Sequence, residues 1–281
     1  RVTTVVGLPI DSLAARYLAR WELVSGGILL TVIGALVLLG PALTGLDPGY
    51  IDLQNRLLAP NSPGHWLGTD QLGRDLLARL LHGLRWSLTA AFGATLLAFV
   101  TGTVLGLIAA RRHSLLGTTI RQVTAFAQSF PVFVLAICLV AVAGNSLMTV
   151  VLVLGLVTWP VFCRVVLAEA SSLFSREYVL AAEMLQMGWL RLYVRHVLPG
   201  LLPSLSVLLA FHFADMLIAE SALSFLGIGA PLGAATWGNM LQESRAYLLS
   251  APWLLLVPAT AIVTLVITAN LLGDGLRRHL E

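Results

Sequence analysis

Long uncharged apolar runs alternate with short polar stretches along this chain, and several runs exceed what a soluble core element needs. Charge-free windows extend from Leu23 to Leu46 and from Trp86 to Ala110. An arginine or aspartate at the centre of a membrane helix costs about 2.5 to 3.5 kcal/mol on insertion scales, and about 20 apolar residues cross the hydrocarbon, so both windows predict transmembrane helices. The run from Gln122 to Cys163 is too long for one span. Gly144, Asn145 and Ser146 supply turn chemistry in its middle, which predicts two helices joined by a tight turn. A fifth helix is expected from about Pro199 to Ala222. A sixth is expected from about Trp253 to Leu272, with Pro252 and Pro258 near its start, where a missing N–H does least harm. The pattern predicts an all-α polytopic membrane protein with six transmembrane helices.

Two longer polar segments interrupt the spans, on opposite sides. In residues 47–85, Thr69 or Asp70 can cap a helix with Leu72, Leu76, Leu77, Leu80 and Leu81 on one face and Arg74, Asp75 and Arg79 on the other. This reads as an interfacial amphipathic strut. In residues 165–198, the stretch from Glu177 to Met187 brings Leu180, Ala181, Met184 and Leu185 together on one side. Gly188 then permits a turn, and a second short helix ends at Pro199. Such a helix–turn–helix suits a groove on a soluble partner. The expected organisation is an N-terminal segment, 1–85, with the first span and the amphipathic helix, followed by a five-helix core, 86–281, that carries the 165–198 loop.

Composition removes whole function classes. The 281 residues are 58% hydrophobic and 11% charged, against about 45 to 50% and about 25% in soluble domains, and the mean hydropathy is +0.88. All 17 basic residues are arginine. Without lysine the chain can carry neither the phosphate-loop lysine of an ATPase nor Schiff-base chemistry. Cys138 and Cys163 lie in apolar runs without C-x-x-C spacing and read as packing residues. A pI near 9.2 does not imply nucleic acid, because the arginines are dispersed beside apolar runs. The first 22 residues, mixed in polarity, carry no signal-peptide pattern. Counting arginines by side gives Arg1, Arg16, Arg20, Arg111, Arg112, Arg121, Arg164, Arg176, Arg191, Arg195, Arg277 and Arg278 against Arg56, Arg74, Arg79, Arg85 and Arg245. The positive-inside bias then puts both termini in the cytoplasm.

One intramembrane cluster is a candidate site. At 100° per residue, His212, Asp215, Met216 and Glu220 fall within about 80° of one helix. Ionisable residues inside a span face water-filled paths or one another, so these four read as the wall of a translocation path. Three ligating types on one helix make an incomplete metal site, and no metal is expected. The alternative is a proton-coupled secondary transporter using His212, Asp215 and Glu220 as a relay; no inverted repeat accompanies it.

The segment YVLAAEMLQMGWLRLYVRHVLP, 178–199, resembles the cytoplasmic EAA loop of ABC-importer permeases, with Ala181, Ala182, Val197, Leu198 and Pro199 in register. Leu180 stands where the motif has Glu, and Gln186 where it has Gly. HWLGTDQLGRD at 65–75, ESALSFLGIG at 220–229 and NLLGDGLRRHLE at 270–281 extend the likeness to the C-type permease subunits of dipeptide, oligopeptide and nickel importers. That resemblance implies a type I ABC-importer permease fold in the bacterial inner membrane. It implies a homologous second permease, two cytoplasmic ATPases that hold ATP and Mg, and an extracytoplasmic substrate-binding protein, with no cofactor on this chain. Ala181, Ala182, Glu183, Met184, Leu185, Gly188 and Pro199 would couple to the ATPase. Gly68, Thr69, Asp70, Gly73, Arg74 and Asp75 would carry the family motif of the outer segment.

Overall fold

The computed structural model describes residues 21, 24–36, 39–40, 45, 47–111, 115–231 and 233–280. Among them the regular structure is helical: α1 (Val24–Leu36), α2 (Leu76–Ala110), α3 (Leu115–Ala127), α4 (Val132–Ala143), α5 (Leu147–Leu173), α6 (Glu177–Met184), α7 (Trp189–Phe225), α8 (Trp237–Ser244) and α9 (Trp253–Leu280). By length and composition α2, α5, α7 and α9 can each cross a membrane, and the α3/α4 pair raises the number of candidate spans to as many as five. α1 is apolar but shorter than these; parts of the expected Leu23 to Leu46 helix lie outside the described residues.

The helices outrun the charge-free windows, for a common reason. Absence of charge marks hydrocarbon depth, whereas a helix ends only where its backbone ladder is broken. The amphipathic strut expected as a separate helix is the first turns of α2, which is 35 residues long and is capped by Asp75, whose carboxylate accepts from the Ala78 N–H at 2.8 Å. The helix therefore runs straight through residue 85. α5 continues ten residues past Cys163 to Leu173. The second short helix of the 165–198 loop does not stop at Pro199 either. It is the start of α7, which continues through a π turn at Tyr193–Val197, where the Leu198 N–H donates to the Tyr193 carbonyl. Widening the ladder just before Pro199 relieves the clash and missing donor that proline brings to an α-helix.

One break follows from a proline. The expected third helix is two, α3 and α4, meeting at 89°. Pro131 disfavours the α conformation at Phe130 and itself occupies the N-cap of α4. By contrast, the turn expected at Gly144, Asn145 and Ser146 is present. Gly144 has a φ of 91°, and the Ser146 hydroxyl caps α5 by accepting from the Thr149 N–H at 3.0 Å.

α2 and α5 form the central pair, packed through small residues. Gly102 and Gly106 of α2 lie against α5 so closely that a Cβ on Gly102 would stand 2.4 Å from the Trp159 carbonyl oxygen. A Cβ on Gly155 of α5 would meet the Leu97 side chain at 2.8 Å. Ala90, Ala91, Ala94 and Ala98 continue the buried small-residue stripe. Between membrane helices there is no water to expel, and close backbone approach supplies the dispersion contact instead.

Candidate functional site

The 174–198 segment is built as a rigid projection. α6 ends in a paired cap: the Gln186 N–H donates to the Glu183 carbonyl at 2.9 Å, and the Met187 N–H to that of Ala182 at 3.2 Å. This is a Schellman arrangement, which needs a left-handed residue after the helix. Gln186 fills that place with a φ of 54°, at the very position where the EAA pattern has glycine. Gly188, expected to make the turn, has an ordinary φ of −56°. The backbone of the family motif is thus kept by a residue that adopts it at a cost.

The expected coupling residues divide by exposure. Val179 and Ala182 are buried against the chain's own core with Phe174, Leu192 and Val197. Ala181, Glu183, Gly188 and Pro199 are exposed, and Met184 and Leu185 protrude, 84% and 80% exposed. A short capped helix thus presents two bare apolar side chains at its tip. Ala182, expected on the contact surface, seats the helix on its own subunit.

The polar face of α7 also divides. Glu220 is completely buried; Ser224 Oγ donates to its Oε1 at 2.9 Å and Ser221 Oγ approaches Oε2 at 3.4 Å. Ser224 Oγ in turn accepts from the Ala230 N–H at 3.1 Å, and a Cβ on Gly238 of α8 would stand 2.5 Å from the Ser221 carbonyl oxygen. The 220–229 motif is therefore a joint that folds the loop after α7 back onto its end. His212 is buried with its ring 4.8 Å from that of Phe162, and neither ring nitrogen has a hydrogen-bond partner. Met216 is buried beside Thr158 of α5. Asp215, on the neighbouring strip of the same helix, is exposed.

The outer motif is an ion knot. Asp70 Oδ2 accepts from Arg74 Nε and from Arg79 Nη1, each at 2.6 Å, and Asp70 Oδ1 accepts the N–H groups of Leu72 and Arg74 at 2.8 and 3.0 Å. Glu243 of α8 closes it with Arg79 and Arg74. Thr69 accepts the Leu58 N–H, and His65 Nδ1 pairs with Asp75 Oδ2 at 2.8 Å. Gly68 and Gly73 take φ of 82° and 76°, and a Cβ on Gly73 would collide with the Asp52 backbone. The polar face of the expected interfacial strut is buried inside the subunit; Arg79 is 1% exposed. Glu243, outside all expected spans and 164 residues from Arg79, was missed because only the fold brings them together. Burial pushes the Glu243 carboxyl up, but the hydrogen bonds and charge of Arg79, aided by Arg74 and Gln71, prevail and hold it below the ordinary carboxylate value.

The family described as "Binding-protein-dependent transport system inner membrane component" matches residues 102–281, well over half of the chain. This chain belongs to that family. The permease is 35% identical over 256 residues to the dipeptide transport system permease protein DppC of Alkalihalophilus pseudofirmus, covering 91% of this chain and 84% of that protein. It is 33% identical over 263 residues to the nickel transport system permease protein NikC of Escherichia coli strain K12, covering 94% and 95%. The inward facing MetNI methionine ABC transporter has a similar fold, with a TM-score of 0.58 at 16% identity, over 72% of this chain and 96% of that chain. The resemblance carried by the EAA-like loop and the outer motif holds, and the chain is a permease subunit of a binding-protein-dependent ABC importer in the inner membrane.

Proposed function

We propose that this permease moves small peptides, or nickel and its chelates, across the inner membrane. It would do so beside a homologous second permease, with two cytoplasmic ATPases and an extracytoplasmic binding protein. The cargo reading rests on DppC and NikC, whose names record dipeptide and nickel transport. The coupling reading rests on one observation above the rest: Met184 and Leu185 stand bare at the tip of a capped helix, in register with the EAA loop. An isolated subunit gains nothing by exposing them, since each fully buried side chain of this size is worth about 1.5 to 3 kcal/mol. A groove on the ATPase would cover them, and the capped helix would carry nucleotide-driven movement into α7 without a floppy link. ATP and Mg would be bound by the ATPases, not by this chain.

The arginine distribution supports both termini, the 111–118 loop and the 165–198 loop in the cytoplasm, with 47–85 and about 224–250 outside, as six spans would place them. His212, Asp215 and Met216 would line or back the path, Asp215 nearest the cargo. The proton-relay alternative lacks support, because among the described residues His212, Asp215 and Glu220 share no hydrogen bond.

The test is a double substitution, Met184→Asp with Leu185→Asp, in the assembled importer. Expected are loss of import and loss of ATPase copurification while the membrane helices stay folded. Undiminished import would refute the docking role. Independently, a cysteine at position 183 should resist a membrane-impermeant reagent in intact cells.

A further inference from the structure

The structure carries a groove that the transport reading leaves unused. It has a volume of about 440 Å³ and lies where the Arg111 end of α2 and the start of α3 meet the first turns of α7. Val104, Leu107 and Ile108 of α2, Leu116 of α3, and Leu190, Val194 and Leu198 of α7 make its apolar wall. Its rim is different in kind: Arg111, Trp189 and Tyr193. The Tyr193 hydroxyl is tied to the Leu107 carbonyl at 3.3 Å, which fixes one side of the rim. Arg111 is exposed; Glu183 lines the adjoining cavity with it, but among the described residues no carboxylate lies within ion-pair distance of its guanidinium.

Each part of this arrangement matches one part of a phospholipid. An apolar trough among membrane helices takes an acyl chain. Trp and Tyr are stable at headgroup depth, where ring and polar edge are both satisfied. A guanidinium at that depth that no carboxylate contacts has free N–H donors, and a phosphodiester accepts them in pairs. Arg191 and Arg195 directly follow Leu190 and Val194 in sequence, about 100° further round α7, and add positive potential. We propose that this groove holds one anionic phospholipid of the cytoplasmic leaflet, its phosphate on Arg111 and one chain along Leu107, Val194 and Leu198. Held there, the lipid braces the start of α7, the part that links the coupling helix to the membrane. The choice of leaflet rests on the topology given above, which the position-183 labelling tests separately; the existence of the site does not depend on it.

The assembled importer, in nanodiscs of phosphatidylcholine with a minor fraction of phosphatidylglycerol, is released into native mass spectrometry and retained phosphatidylglycerol is counted. Arg111→Gln should lower retention about fivefold, which is about 1 kcal/mol and the worth of one arginine at an anionic surface. Val194→Trp, which fills the trough and keeps the charge, should lower it likewise, whereas Arg164→Gln should not. In otherwise unaltered complex, a photoreactive residue at position 190 should crosslink to lipid. Crosslinking to the second permease or an ATPase instead would overturn the proposal, and so would equal retention by Arg111→Gln and parent.

Discussion

Arg79 and Glu243, 164 residues apart in the chain, meet in a two-pronged ion pair at 2.6 and 3.2 Å. The pair ties the start of α2 to α8, and through Asp70 it also tethers the 47–75 segment. Removing Arg79 leaves Asp70 and the partly exposed Glu243 to share Arg74, a loss bounded by the cost of breaking a fully buried pair, about 3 to 5 kcal/mol. Arg79→Gln should therefore lower the thermal stability of the purified complex markedly and open new protease sites within 47–75. Arg56→Gln, which loses only an exposed hydrogen bond to the Gln71 carbonyl, should do much less of either. Parent-like cleavage of Arg79→Gln would show that the knot is ornamental.

Acid should loosen the same joint. The folded Glu243 carboxyl sits below the ordinary value of about 4.3 for a glutamate, so folding binds fewer protons there than unfolding does. Its stabilisation is fully present above the unfolded value and is lost as pH falls through the folded value. Pepsin cleavage within 47–75 should accordingly rise as pH drops below about 4.3. Glu243→Gln should be weaker at neutral pH and show less of this acid step. An identical acid profile in both proteins would assign the loosening to other carboxylates.

Much of the fold can be read from charge-free windows, the Gly144 turn and the 165–198 loop, because those features are local. The ion knot cannot, since period and capping place Arg74, Asp75 and Arg79 on one face without saying what covers it. The same limit applies at Gln186. A glycine invites a turn, yet Gly188 has ordinary dihedrals and Gln186 holds the left-handed ones. Left-handed backbone costs a side-chain-bearing residue about 1 to 2 kcal/mol, partly offset by the greater unfolded entropy of glycine. Gln186→Gly should then stabilise the loop after α6 by up to about 1 kcal/mol, seen as slower amide exchange over 182–188. Gly188→Ala, with nothing within 4 Å of the added Cβ, should be neutral. Faster exchange in Gln186→Gly would contradict the cap geometry.

The α2/α5 contact makes a steeper demand on side-chain size. At Gly102 a Cβ would lie 2.4 Å from a backbone oxygen and 2.6 Å from the Phe162 Cβ, neither of which can swing away. Even Gly102→Ala must push two central helices apart, and overpacking of this kind costs about 1 to 3 kcal/mol. A lower melting temperature in detergent is expected, larger still for Gly102→Val. A parent-like melting temperature for both variants would mean the helices meet elsewhere.

Asp215 and Glu220 stand five residues apart on α7, yet the fold gives them opposite surroundings. Glu220 has Ser221 and Ser224 as partners and no exposed surface. Glu220→Ala would leave the Ser224 hydroxyl without its acceptor and open a void, so it should cost about 2 kcal/mol or more in stability and reduce the yield of complex. Asp215 has no such partners and faces out of the subunit. A carboxylate facing lipid is expensive to keep, so its side of α7 should face a partner helix across water or cargo. Asp215→Asn preserves shape and deletes charge. It should leave complex yield and melting temperature at parent values while lowering import of a cationic cargo, a lysyl dipeptide or Ni²⁺, more than import of a neutral dipeptide. Equal import of both cargoes by parent and variant would remove Asp215 from the path, whereas a fall in yield matching that of Glu220→Ala would make it a structural residue at the subunit seam. Comparing the two carboxylates in one preparation separates transport from folding, because each variant serves as the control for the other.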